Sequence, residues 1–517
     1  MYHGAWPRSA AFSQSPQIAA AVVDPLSQRA DSSPSATAIV VGERHVSWAE
    51  LDEQAAALAG RLAAVGVTAG DRIALLEPAG PAFVTALHAC LRIGASVVPL
   101  SIRAPATEIG RHLADCRPRL LLTSAPGAEV ACQLKDLCET WSFDASVRRL
   151  GRVNGQAQPG GRLATAQELC VIYTSGTSGT PKGVQLTLAN HLASAAGCGE
   201  SLGGLRADDT WLVALGLYRI GGLAILMRSV LAGFALNIQP RFEENAVAAA
   251  LQDNVTLASF VPAMLDRLLA SGLVTRLAGL RAIMLGGAPV SAARAHEWAR
   301  AGLNICPTYG LSESCSQVAT VPPGQALEYL GTSGLVHSRA KVVILDEGTS
   351  PSDRVGEVCV GGDVLSPGYV ASGPGESRFF VRDGMRWFRT GDVGTIDERG
   401  ALTITGRIGY TINTGGEKVQ PEEVESTLCE HPGVSDAFVR GIPDSRYGSI
   451  VVAYVVAEVE QSTLREWCRV RLVHYKVPRR FVTVDAIARS EDGKVLREAW
   501  APDVEADASA SSTVSQR

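Results

Sequence analysis

Between Ser47 and Leu100 the chain alternates twice between a helix-spaced apolar pattern and a short unbroken apolar run. That alternation limits the fold more than any other feature. Ser47 has Glu50 three residues on, the reciprocal pair that opens a helix. Apolar residues recur at helical spacing from Ala49 to Val65. Asp71 leads into Ile73-Ala-Leu-Leu76, a run of buried-strand type. A second helical pattern, Pro81 to Ile93, precedes Ala95-Ser-Val-Val-Pro-Leu100. Helix and strand in turn predict an α/β architecture with parallel or mixed sheets. The 517 residues, 46% hydrophobic, suffice for a large α/β unit and a smaller second one.

Composition removes several classes of function. A net charge of -5 lacks the basic excess of a nucleic-acid protein. The longest apolar runs, Gly94 to Leu100 and Ile220 to Met227, fall well short of the ~18 residues of a membrane helix. No basic start followed by an apolar block opens the chain, so no signal peptide is expected. The 11 cysteines are scattered, without a C-x-x-C pair or a Cys/His cluster. They read as reduced thiols of a cytoplasmic protein, not as a disulfide frame or a zinc site.

The pattern divides into regions. An N-terminal domain is expected over 18–405, a hinge at 406–410, a C-terminal α+β domain over 411–503 and a disordered tail over 504–517. Residues 146 to 166, rich in Gly, Arg, Gln and Pro, read as an exposed connection. Strand-like runs at Lys341 to Leu345 and Gly356 to Val360 suggest a β-rich subregion of the large domain. Beyond the hinge come a Gly-Gly loop, a capped helix from near Pro421, and strand-like runs at Ala437 to Gly441 and Val451 to Val456.

The sharpest segment is Tyr173-Thr-Ser-Gly-Thr-Ser-Gly-Thr-Pro-Lys182-Gly183, entered from the β-type run Leu169 to Tyr173. Glycines let backbone amides turn toward a ligand, hydroxyls add donors and a lysine supplies a point charge, a set suited to polyphosphate. It is not a Walker A loop, because Pro181 precedes the lysine and Gly183 follows it. Only six of the 47 basic residues are lysines, and Lys182, Lys418 and Lys494 all sit in or beside glycine-containing loops.

At this segment the chain resembles the adenylate-forming enzymes: acyl- and aryl-CoA synthetases, luciferases and peptide-synthetase adenylation domains. The likeness runs from about residue 18 to about residue 500, with the motifs in the family's order. It implies that Thr174, Ser175, Gly176, Thr177, Ser178, Gly179, Thr180 and Lys182 form the phosphate loop. Gly286, Gly287 and Ala288, in Leu285-Gly-Gly-Ala-Pro289, resemble the loop that packs on adenine. Pro307-Thr-Tyr-Gly-Leu-Ser-Glu-Ser314 resembles the Tyr-Gly-x-Thr-Glu signature. By that likeness Tyr309 and Gly310 lie against adenine, Ser312 reaches the phosphate, and Glu313 helps hold Mg2+ as metal ligand and catalytic residue. An aromatic face suits a base, and a carboxylate suits a hard cation.

The same resemblance gives Asp392, in Trp387-Phe-Arg-Thr-Gly-Asp392, the ribose hydroxyls, with Arg407 assisting. It gives Lys494 the bridging of acyl carboxylate and α-phosphate, where a fixed positive charge stabilises the developing negative one. Gly415, Gly416 and Glu417 would line the thiol tunnel for coenzyme A. The implied reaction has two halves. A carboxylate attacks the α-phosphorus of ATP, giving acyl-AMP and pyrophosphate; the small domain then rotates, and a thiol displaces AMP.

Within the family the likeness is nearest to o-succinylbenzoate-CoA ligases. It is carried by Leu217-Tyr-Arg-Ile-Gly-Gly-Leu-Ala-Ile-Leu-Met-Arg228 and Tyr309-Gly-Leu-Ser-Glu-Ser-Cys-Ser-Gln-Val-Ala-Thr320. That favours a cyclic or aryl-bearing acid, with Tyr218, Arg219, Gly221 and Arg228 at the acyl pocket. Arg219 and Arg228 are each able to pair with a second carboxylate. Two departures stand out: Arg219 replaces a more usual His, and Gly409 stands where the hinge commonly carries Asp or Lys.

The leading expectation is therefore an ATP-, Mg2+- and coenzyme A-using acyl-CoA ligase acting on a small carboxylic acid in the cytoplasm. It needs no nucleic acid or membrane. The alternative is a member restricted to one half-reaction; a third reading is a non-catalytic adenylate-binding protein. The oligomeric state stays open, a homodimer included.

Overall fold

The computed structural model describes residues 18–142, 161–174, 182–345, 355–371, 378–415, 417–444, 446–489 and 495–496. The chain gathers into two compact units, 1–409 and 410–517. The expected tail 504–517 lies outside the described residues.

The first unit is built on two large sheets. One runs in the order Gly368–Tyr369, Lys182–Thr187, Glu168–Thr174, Ser96–Pro99, Arg72–Leu76, Leu120–Thr123, Thr140–Ser142. The other runs Leu335–Val336, Ser316–Thr320, Ile305–Leu311, Ala282–Leu285, Leu257–Phe260, Thr210–Val213, Ala235–Ile238, Thr37–Val41, Arg44–Ser47. Their central strands are parallel. Parallel strands are covered on both faces, which is why Ile73 to Leu76 and Ser96 to Pro99 read as unbroken apolar runs.

The two helices expected from periodicity are Trp48–Ala64 and Pro81–Arg92. Ser47 and Glu50 form the reciprocal cap. Leu51, Ala55, Leu58 and Leu62 of the first helix, and Phe83, Leu87 and Leu91 of the second, join one core with Ile73 and Val97 of the first sheet. Ile39, Trp211 and Leu236 of the second sheet belong to the same core. The two sheets therefore share a layer of helices, and no helix among the described residues is long and apolar enough to cross a membrane.

A smaller antiparallel sheet carries the β-rich subregion. Ala340–Leu345 pairs with Gly356–Gly362, which pairs with Met385–Ile396, which in turn pairs with Leu402–Arg407. This last pairing sets Asp392 opposite Arg407.

One sequence expectation is corrected here. Arg162–Ala164, inside the supposed connection 146–166, is a strand paired with Ala21–Val23. Leu163 alone of the three is buried, too little apolar signal to show among Gly and Arg. Residues 143–160 lie outside the described set.

The second unit is a five-stranded sheet with helices Pro421–Cys429 and Gln461–Arg471. The long hairpin Val434–Asp444 with Gly448–Ala457 is its centre. The helix at Pro421 has no side-chain cap: the Gln420 amide is taken by Thr411, and Pro421 with Glu422 and Glu423 opens the first turn instead.

Candidate active site

In open α/β sheets, ligands meet the carboxyl ends of the parallel strands. Three of the motifs sit there. Thr174 ends the strand Glu168–Thr174 and pairs with Lys182 across the hairpin. Ser175, Gly176, Thr177, Ser178, Gly179 and Thr180 lie outside the described residues. The strand end is anchored from behind, where the Tyr173 hydroxyl donates to Asp115 Oδ2 at 2.6 Å and its ring stacks on His112. Gly286, Gly287 and Ala288 follow the strand Ala282–Leu285, and Gly287 takes a left-handed φ of 80° that a side chain resists.

Tyr309, Gly310 and Leu311 end the strand Ile305–Leu311, and Ser312 and Glu313 begin a short 3-10 turn. The chain doubles back so tightly that a Cβ on Gly310 would lie 2.1 Å from the Ser316 carbonyl oxygen, so only glycine fits. The Tyr309 hydroxyl donates to Asp392 Oδ2 at 2.7 Å, and Arg407 Nη1 stands 3.7 Å from Asp392 Oδ1. Burial pushes the Asp392 carboxyl above its ordinary value, against the opposing pull of Arg407 and of the Tyr309 hydrogen bond. Burial, then the Asp392 charge, also holds the Tyr309 phenol well above the usual range, so it stays a donor.

Glu313 and Lys182 meet over a residue that sequence reasoning missed. Tyr369 donates its hydroxyl to Glu313 Oε1 at 2.6 Å, and the Lys182 ammonium lies 5.5 Å from the centre of its ring. Glu313 Oε2 keeps no hydrogen-bond partner among the described residues. A hard carboxylate oxygen with an open lone-pair side fits a Mg2+ ion.

The acyl candidates separate in character. Arg219 precedes the helix Ile220–Ala232, its guanidinium 5.4 Å from the Tyr218 ring. Its charge reaches His112, whose pKa is pulled down to about 4, first by burial. Gly221 lies in the first turn of that helix, and Arg228 on its inner face is only 1% exposed. Arg228 Nη2 lies 3.1 Å from Ser316 Oγ and 3.4 Å from Ser194 Oγ, with Trp211 beneath its guanidinium. No carboxylate pairs with it among the described residues, and its Nε is buried without a partner. Ser194, Ser316 and Trp211 were also missed; of these, Ser316 alone falls within a quoted motif.

In the second unit Gly415 takes a left-handed φ of 60° and donates its N–H to the Tyr447 carbonyl, with Glu417 at the start of the next strand. Gly416 and Lys494 lie outside the described residues. Gly409 is not among the described glycines with a left-handed φ, and a Cβ there would meet nothing within 4 Å.

An aromatic ring hydrogen-bonded to a half-buried carboxylate with its arginine, beside a lysine and a carboxylate that share Tyr369, is a set that suits a nucleotide and its phosphates, the equipment of a nucleotide-activating enzyme. The model of the AMP-binding enzyme family matches residues 26–370, and that of the AMP-binding enzyme C-terminal domain matches 423–494. The chain belongs to the AMP-binding enzyme family. It is 35% identical to a 2-succinylbenzoate–CoA ligase of Bacillus licheniformis over 482 residues, covering 91% of this chain and 98% of that one. With the ligase of the same name from Geobacillus kaustophilus it shares 36% over 483 residues, 91% of this chain and 96% of the relative.

Among solved structures it is similar to o-succinylbenzoate CoA synthetase from Bacillus subtilis with its acyl-adenylate intermediate. That match has a TM-score of 0.83 at 31% identity, over 92% of this chain and 98% of the other. The complex of the same enzyme with ATP and magnesium ion matches equally, at 0.83 and 31% over 92% and 99%. The protein is thus an ATP-dependent acid–CoA ligase that works through an acyl-adenylate, with ATP, Mg2+ and coenzyme A. Nothing in these likenesses favours the half-reaction alternative.

Proposed function

We propose that the acid is 2-succinylbenzoate or a near aryl dicarboxylate, and that Arg228 receives the carboxylate that is not activated. The observation that carries this is the buried Arg228 charge with no acidic partner among the described residues. A guanidinium out of water costs several kcal/mol unless a counter-charge compensates it. Two hydroxyls and an indole face soften that cost but supply no negative charge. A ligand carboxylate between Arg228, Ser194 and Ser316 would supply it, in the fork geometry that arginine offers. The names of the curated relatives support the same acid.

In this reading the activated carboxylate of the acid attacks the α-phosphorus of ATP, the bond to the β-phosphate oxygen breaks, and pyrophosphate leaves. Tyr309 and the Gly286–Ala288 loop hold adenine; Asp392 and Arg407 hold the ribose. Lys182, Ser312 and the 175–180 loop hold the phosphates. Mg2+, held by Glu313, neutralises phosphate charge. Lys494 steadies the pentacovalent phosphorus, and coenzyme A, entering past Gly415, Gly416 and Glu417, expels AMP. Residues 406–410 act as the hinge between the two half-reactions. The reaction belongs in the cytoplasm, and a homodimer is compatible with it.

A panel of carboxylic acids tests the reading, scoring pyrophosphate release and CoA thioester separately. 2-Succinylbenzoate is expected to lead both scores by roughly 30-fold or more over benzoate and over medium-chain fatty acids, since leaving a buried charge without its partner costs about 2–5 kcal/mol. A fatty acid that matched it would overturn the proposal.

A further inference from the structure

Tyr369 belongs to no quoted motif, yet it touches two of the residues just assigned to ATP. It lies on Gly368–Tyr369, a two-residue strand at the edge of the first large sheet, paired with Val184 and Gln185. The neighbouring strand end carries Lys182. The segment before Tyr369 is fastened on three sides. Ser366 donates its N–H to the Glu313 carbonyl at 2.8 Å and its hydroxyl to the Gln185 carbonyl at 2.7 Å. Arg386 donates to the Ser366 and Pro367 carbonyls at 3.0 and 2.7 Å. Phe379 packs edge-on against the Tyr369 ring, with centroids 5.7 Å apart.

We infer that Tyr369 is a positioning residue for adenylation: it aims the Glu313 carboxylate at Mg2+ and seats the Lys182 ammonium over its ring. This rests on the roles proposed above for Glu313 and Lys182. The hydroxyl engages Oε1 and leaves Oε2 for the ion. Outer-shell partners of this kind orient a ligand oxygen without touching the metal. The ring face meanwhile attracts the ammonium at a distance within the cation–π range. One side chain thus couples the metal ligand, on the turn after Ile305–Leu311, to the lysine on the hairpin of the other sheet.

The test is equilibrium binding of ATP and of AMP at increasing free Mg2+, without acid or coenzyme A, on wild type, Tyr369→Phe, Tyr369→Leu and Glu313→Gln. Tyr369→Phe is expected to need at least about tenfold more Mg2+ for half-maximal ATP binding, as losing an outer-shell partner usually does. AMP binding should be unchanged. Tyr369→Leu should also weaken ATP relative to AMP in the absence of Mg2+, because Lys182 loses its seat. A residue that merely packs would not separate ATP from AMP or move the Mg2+ midpoint. If Glu313→Gln shifts the midpoint and Tyr369→Phe does not, the positioning role is overturned while the Glu313 assignment stands. If Glu313→Gln does not shift it, that assignment falls, and this inference with it. Should the leucine variant not fold, the phenylalanine variant decides alone, since it removes one oxygen atom and keeps the ring.

Discussion

The Tyr309 hydroxyl donates to Asp392 Oδ2 over 2.7 Å, joining residues 83 positions apart in the chain. The two come from different sheets, so the contact ties the end of Ile305–Leu311 to the middle of Met385–Ile396. It also keeps a half-buried carboxylate supplied with a donor. Tyr309→Phe removes that donor and keeps the ring. Hydrogen bonds to charged groups contribute about 1.5–3 kcal/mol, so AMP affinity should fall roughly tenfold or more as Asp392 loses its aim. Calorimetric AMP binding checks this; unchanged affinity would mean that Asp392 does not serve the nucleotide.

The structure brings several of the motif residues together, because short motifs fix local geometry. Thr-Gly-Asp392 and Gly-Arg407 each end up where register alone pairs them. Tyr369 was not readable: its contact with Glu313 depends on which strand Gly368–Tyr369 joins, and a two-residue strand carries no period. Arg228 showed the opposite limit. It directly follows the apolar run Ile220 to Met227, which alone does not separate strand from helix, and its burial depends on Ser194 and Ser316 packing over it from other elements. The strand Arg162–Ala164 was missed because edge pairing needs only backbone, which composition does not report.

Two lysines should separate the half-reactions. Lys182→Ala should weaken ATP more than a preformed acyl-adenylate, which has no β- and γ-phosphates. Lys494→Ala should slow adenylation by ~10²–10³ and leave thioester formation from supplied adenylate near wild type, since the phosphorus charge develops only in the first step. Single-turnover assays of each half decide it. Equal losses in both halves would show that Lys494 is misassigned, and unchanged ATP affinity would do the same for Lys182.

Buried neutral histidines predict acid sensitivity. Burial, and to a lesser degree Arg228, depress His191 to about 3 from 6.5, and burial depresses His88 to about 4. Below pH 6.5 the unfolded chain takes up protons at these sites while the folded chain refuses them until about 3 or 4. Stability therefore falls as pH drops through that window and levels off above it. At 1.36 kcal/mol per unit, a site that stays neutral loses about 2 kcal/mol between pH 6.5 and 5. His191→Gln should remove that share, so urea unfolding at pH 7.5 and 5 should differ less for the variant than for wild type. An identical pH difference in both would show that His191 protonates freely in the folded state.

Arg228→Met separates function from stability. Arg228 donates to two hydroxyls and pairs with no carboxylate among the described residues, so removing its guanidinium strands no opposite charge there. Replacing buried charge by a packed apolar chain is often neutral or stabilising. Thermal unfolding of the ligand-free variant should therefore occur at or above the wild-type temperature. Activity should respond in the opposite direction, and selectively. With 2-succinylbenzoate, the carboxylate that is not activated would enter a pocket without its counter-charge, a loss of about 2–5 kcal/mol, or roughly 30- to 5,000-fold in kcat/KM. An aryl monocarboxylate, having no such group, should be used as well as before or better. Kinetics with both acids on both proteins give the comparison. If the two acids lose activity in equal proportion, Arg228 supports the pocket's shape and not the second carboxylate.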